Sequence, residues 1–228
     1  MSIARRLVTS SLGKKFLVAI TGAALFVFVI GHLLGNLQIF LGPEAINRYG
    51  NFLQTTPEIL WPARIGLLAC VIVHIWLSAL LTIENYMSSD ARYEVKRVVD
   101  ASLASRTMIW SGLIVLSFIC YHLAHFTVLW IHPEYRDLHY QLGQLEVHDV
   151  YRMMIIGFSN PWVSGFYALS IGLLCIHLGH GIESMFQSLG LKNEVWAARI
   201  NVIGIVISAL IFIGYVSIPT AILAGMVK

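Results

Sequence analysis

Charge is what this sequence has least of: Asp, Glu, Lys and Arg make up 12% of its 228 residues, while 57% are hydrophobic. A soluble domain carries about twice that share of charge, so a water-facing globular fold is excluded first. Cysteine is nearly absent as well. Cys70, Cys120 and Cys175 are the three in the chain, and each falls inside an apolar run. None forms a CxxC pair, which excludes a zinc or iron–sulfur framework of the usual spacing, and no CxxCH offers covalent c-type haem attachment. Strict apolar–polar alternation is missing, and with it the mark of a membrane β-barrel. There is no glycine-rich nucleotide turn, no low-complexity segment and no convincing internal repeat. A net charge of +3 leaves no broad basic surface, so no nucleic-acid partner is expected.

What is present is long apolar sequence, with a mean hydropathy of +0.76. Five runs stand out, roughly 15–41, 60–86, 103–131, 161–188 and 197–226. Each exceeds the ~20 residues that cross ~30 Å of hydrocarbon as a helix, so some tilt or protrusion is expected. The pattern predicts an all-α integral membrane protein of five transmembrane helices. Four form a histidine-bearing bundle, the fifth braces it, and the whole of 1–228 is one domain. The first run is too long for a signal peptide and lacks a small-residue cleavage site, so none is expected. The outer loop 42–59 contains AINRYGNFLQ, a candidate interfacial helix; 87–102 and 132–160 read as polar connections.

The charges that exist are unevenly placed. Arg5, Arg6, Lys14, Lys15, Arg92, Lys96, Arg97, Arg106, Lys192 and Arg199 fall on the N-terminal side of the spans. Arg48, Arg64, Arg136, Arg152 and Lys228 fall on the other. The positive-inside rule then puts the N-terminus in the cytoplasm and the C-terminus outside, in a bacterial cytoplasmic membrane.

Histidine is the unusual ingredient. His32, His74, His122 and His177 lie within four of the five runs, with His125 and His180 three residues beyond the last two. An ionisable side chain in hydrocarbon is costly, so it faces a bundle interior and usually has a task there. Gly31 and Gly35 flank His32, and Gly172, Gly179 and Gly181 surround His177 and His180, leaving room for something flat. At ~1.5 Å rise per residue, depth sorts the set into an outer pair, His32 with His122, and an inner pair, His74 with His177. Two imidazoles from facing helices are what a six-coordinate b-type haem takes, so two non-covalent haems are expected. Zinc is disfavoured because the pairs lack thiolate or carboxylate company. The competing reading is a haem-free scaffold or transporter subunit whose histidines only pack. Spacing alone leaves the choice within 122/125 and 177/180 open, since each doublet shares a helical face.

Order and spacing of short motifs carry a family resemblance. GHLLGN at 31–36, VHIW at 73–76, SRTMIWSG at 105–112 with His122 beyond it, GFY at 165–167 and HLGHG at 177–181 span nearly the whole chain. In that order they resemble the dihaem cytochrome b membrane anchor of succinate:quinone oxidoreductases (succinate dehydrogenase or fumarate reductase, complex II). The resemblance implies His32, His122, His74 and His177 as axial ligands, spans one and three serving one haem and spans two and four the other. It also implies a flavoprotein and an iron–sulfur subunit docked on the cytoplasmic face, and electron exchange with a membrane quinone, menaquinone by expectation. Cys175 stands where some menaquinol-oxidising relatives carry a glutamate, so a proton route through that carboxylate is not expected here.

Haem propionates need cationic or hydrogen-bonding partners. Arg106 at the inner mouth of span three and Arg64 at the outer mouth of span two are the candidates, joined by His125 and His180 as the second member of each doublet. A quinone site exchanges protons with water, and the outer loop and start of span two offer Tyr49, Asn51, Glu58 and Arg64. Glu58 is the favoured proton-exchange group, and an inner site near Arg106 stays open.

Overall fold

The computed structural model describes residues 7–87 and 103–228, with the side chains of 103–107 and Glu194 left out. Arg5, Arg6, Arg92, Lys96 and Arg97, on which part of the charge asymmetry rests, lie outside the described residues, as does the side chain of Arg106. The elements in chain order are α1 (Ser11–Asn36), a 3-10 turn (Leu37–Leu41), α2 (Pro43–Thr55), α3 (Pro57–Met87) and α4 (Leu103–His122). A π-helical turn (Leu123–Thr127), a 3-10 turn (Pro133–Asp137), β1 (His139–Leu142), β2 (Leu145–His148), α5 (Val150–Phe158), α6 (Pro161–Ser188) and α7 (Glu194–Leu223) complete the chain. Among the described residues five segments, Ser11–Leu41, Pro57–Met87, Met108–Thr127, Pro161–Ser188 and Val195–Leu223, are long and apolar enough to cross a membrane. The protein is an all-α membrane protein with five such helices.

Local chemistry sets the boundaries. Pro43, Pro57 and Pro161 each open a helix, where a missing N–H costs nothing. Asn160 Oδ1 accepts from Trp162 N at 2.9 Å and Asn193 Oδ1 from Trp196 N at 2.9 Å, capping α6 and α7. Between those helices Gly190 takes φ +73°, a left-handed turn that a side chain would resist. Within the spans large apolar side chains point outward, among them Ile65, Leu68, Ile72 and Trp76 on α3. In hydrocarbon that surface is matched to its solvent.

Two regions differ from the sequence expectation. Span three was expected to run to residue 131, but its regular helix stops at His122. It continues only as the π-helical turn before Leu129 takes φ 57°. The stretch 132–160, expected as a polar connection, is structured. An antiparallel hairpin pairs His139 with His148 and Tyr140 with Val147, and α5 buries Met153, Met154, Gly157 and Phe158. In the apolar run MMIIGF the helix turns Met153, Met154 and Phe158 inward, which an irregular loop would not do. The segment AINRYGNFLQ is helical as expected, within α2.

The chain forms two compact units. The first draws on Met1–Val27, Ile65–Gly112 and Ile176–Ser208. In it Lys14, almost wholly buried, pairs with Glu84, and Lys192 pairs with Glu183 at 2.7 Å. A Cβ at Gly204 would stand 3.3 Å from the Gly179 carbonyl oxygen, so α7 and α6 approach closely there. The second unit draws on Phe28–Arg64, Leu113–Cys175 and Ala209–Lys228. Leu129, Tyr135 and Met153 form its core, with Phe126, Leu138 and Val150 packed against them. Asn47, fully buried, donates to Asp149 Oδ1 at 2.9 Å and accepts from Tyr151 N at 3.0 Å, tying α2 to the start of α5.

Candidate functional site: two histidine pairs

Both inner histidines lie in the first unit. The His74 ring, carried by α3, has its Nδ1 3.1 Å from the Val18 carbonyl oxygen and 3.2 Å from Thr21 Oγ1. A carbonyl can only accept, so Nδ1 carries the proton. Thr21 spends its own hydroxyl proton on Leu17 O at 2.8 Å, so its oxygen accepts from the ring too. His177, on α6, sets Nδ1 3.1 Å from Ser111 Oγ, whose proton goes to Met108 O at 2.9 Å. With the Ser111 proton on Met108 O, we assign the Nδ1–H tautomer to that ring as well. On both rings Nε2 is left with its lone pair, and a metal-binding imidazole is normally fixed in this way through its other nitrogen.

The outer pair lies in the second unit. The His32 and His122 ring centroids stand 5.7 Å apart at 82°, edge to face. Phe28 stacks on His32 at 5.3 Å, and Tyr215 of α7 lies 6.3 Å from it. Tyr215 also donates to Val29 O at 2.8 Å, fixing α7 against the turn of α1 that carries His32.

The members of the 122/125 doublet differ in their surroundings. His125 is fully buried, stacked 3.9 Å from Phe126, with Nδ1 3.0 Å from the Tyr167 hydroxyl. His122 is only half-buried, faces His32, and lies 3.5 Å from the same hydroxyl. His122 is thus the member presented to its partner histidine. His125 Nε2 is a buried nitrogen with no hydrogen-bond partner, beside Gly157, where a Cβ would stand 3.4 Å from it. His180 is half-buried one turn past His177 and takes no part in the Ser111 contact.

Among the described residues no cluster of three or more His, Cys, Asp or Glu side chains could hold a metal ion. Two glycines seat the rings themselves: a Cβ at Gly22 would meet His74 Cε1 at 3.1 Å, and one at Gly112 would meet His177 Cε1 at 3.6 Å.

The remaining sequence candidates are dispersed. Tyr49 packs on Gly35, where a Cβ would lie 2.8 Å from its ring, and lines a shallow groove with Gln38, Glu44, Arg48 and Phe52. Asn51 is half-buried in α2 outside that groove, and Glu58 is exposed in the first turn of α3. Arg64 is exposed, its guanidinium 5.4 Å over the Trp61 ring. Beyond the π-helical turn His132 Nδ1 meets Glu134 Oε1 at 2.8 Å; the glutamate's own backbone N–H, then His132, hold that carboxyl below the usual range. Sequence reasoning missed Thr21, Ser111, Tyr167 and Tyr215. SRTMIWSG at 105–112 and GFY at 165–167 drew notice as motifs, but nothing in them foretold that Ser111 would meet His177 or that the Tyr167 hydroxyl would be shared by two histidines.

Comparison of the chain with protein families, curated proteins and solved structures gives no match.

Proposed function

We propose that this chain is the dihaem cytochrome b anchor of a succinate dehydrogenase or fumarate reductase, passing electrons between a cytoplasmic iron–sulfur subunit and a membrane quinone. The observation that carries the haem reading is the pair of inner imidazoles, each with Nδ1–H committed to a neighbouring helix and Nε2 left free. In this reading His74 and His177 hold one haem and His32 and His122 the other. Each bound haem supplies one-electron Fe(III)/Fe(II) chemistry. The chain's own residues do the rest. Val18, Thr21 and Ser111 fix tautomer and ring orientation at the inner pair, and Phe28 and Tyr215 pack against His32. His125 Nε2 answers a propionate, as do His180, Arg64 and Arg106. The sequence lacks a nucleotide turn and a cysteine set, so a flavoprotein and an iron–sulfur protein must supply flavin and clusters on the cytoplasmic face. The quinone, menaquinone by this reading, exchanges near Tyr49, Asn51, Glu58 and Arg64. The chain sits in a bacterial cytoplasmic membrane with its N-terminus inside.

The test is purification from detergent-solubilised membranes. A pyridine haemochrome assay should give two b haems per chain, with a flavoprotein and an iron–sulfur protein in the same peak. Haem-free protein would instead favour a scaffold or transporter subunit with packing histidines. Two haems without those partners would point to a cytochrome b of another dehydrogenase.

A further inference from the structure

The two inner histidines are held by the same device, used twice. On α1 a hydroxyl residue followed by glycine, Thr21–Gly22, faces His74; on α4 Ser111–Gly112 faces His177. In each case the hydroxyl accepts from the ring Nδ1–H while its own proton returns to its own helix, at Leu17 O or Met108 O. In each case the adjacent glycine lies against the ring Cε1. The correspondence extends along the chain. His32 follows Thr21 by eleven residues and His122 follows Ser111 by eleven, so [ST]-G-x9-H occurs at 21–32 and again at 111–122. Eleven residues are close to three helical turns, which puts the hydroxyl and the outer histidine on one face of their helix.

From this we infer that Thr21 and Ser111 are the positioning residues of the inner haem ligands. We also infer that α1 holds the histidine of α3 and α4 that of α6 by the same hydroxyl–glycine contact. This rests on the haem reading above. The hydroxyl oxygens are the acceptors that keep each imidazole in the Nδ1–H tautomer and raise the basicity of Nε2, as outer partners of metal-bound histidine do. The two acceptors are not equivalent. His74 retains the Val18 carbonyl if Thr21 is removed, whereas no second acceptor for His177 is seen among the described residues. Ser111→Ala should therefore act more strongly than Thr21→Val. The glycines differ in the opposite sense. A methyl at Gly22 would crowd the His74 ring at 3.1 Å, while at Gly112 it would make an ordinary contact at 3.6 Å.

The experiment uses the full-length protein with its bound haems, titrated potentiometrically at the α-band, with haem transfer to apomyoglobin as a second readout. In Ser111→Ala one of the two redox components should move to higher potential, because a less basic ligand favours Fe(II). One haem per chain should transfer about tenfold faster. Thr21→Val should shift the same component by less. Ser111→Thr and Thr21→Ser, which keep the acceptor, should restore both readouts, and Gly22→Ala should perturb where Gly112→Ala does not. Unchanged potentials and transfer rates in a Ser111→Ala protein that holds two haems would overturn the inference, as would equal shifts of both haems. A wild-type chain that binds no haem would instead overturn the reading beneath it, so the two failures are told apart before any variant is made.

Discussion

At the scale of single residues, the decisive feature is which histidine of a doublet has somewhere to go. His125 is enclosed by Phe126, Tyr167, Tyr135 and His132, and its ring is held by stacking and by the Tyr167 hydroxyl. His122, one turn earlier, faces His32. On the dihaem proposal, His122→Ala should convert the haem held by His32 and His122 to a high-spin form or lose it. His125→Ala should keep a six-coordinate spectrum while destabilising the outer unit by roughly 2–4 kcal/mol, since a large buried ring is removed. Optical spectra and thermal unfolding in detergent would check both. The four histidines proposed as ligands stood out in the sequence because histidine in hydrocarbon is rare enough to be conspicuous. Thr21 and Ser111 were not, because a hydroxyl within an apolar helix ordinarily returns its hydrogen bond to its own backbone. These two do that as well, and the second use of the oxygen shows only in three dimensions.

At the scale of elements, the spans were readable because length and apolar content alone define them, and proline or asparagine marks where most of them start. The stretch 132–160 was misread for a physical reason. Its hairpin has only four residues per strand, and α5 is nine residues long. Neither stands out by periodicity, and both depend on tertiary burial of Tyr135, Val147, Met153 and Met154. The joint between α2 and α5 is a buried amide bonded to a carboxylate. Asn47→Ala would leave Asp149 short of a partner away from water, costing about 1–3 kcal/mol. Proteolysis at 132–160 should speed up in that variant, with cleavage elsewhere unchanged; uniform acceleration would show the effect to be global.

At the scale of the whole molecule, five crossings and the charge asymmetry make the topology a checkable claim. In right-side-out vesicles, a cysteine-reactive polar label should reach a cysteine placed at Lys228 and should miss one placed in 88–102. The reverse pattern would invert the orientation and with it the side on which partners dock. The Asn47–Asp149 contact also has a meaning in time. Its two ends are separated by 102 positions along the chain. At a synthesis rate of ~5–20 residues per second, the carboxylate emerges roughly 5–20 s after the amide it must meet. Throughout that interval α2 has been made but its polar anchor has no counterpart. A chain stalled before residue 149 should thus carry a membrane-inserted but unlatched outer segment, the form in which quality-control proteases would first encounter this protein.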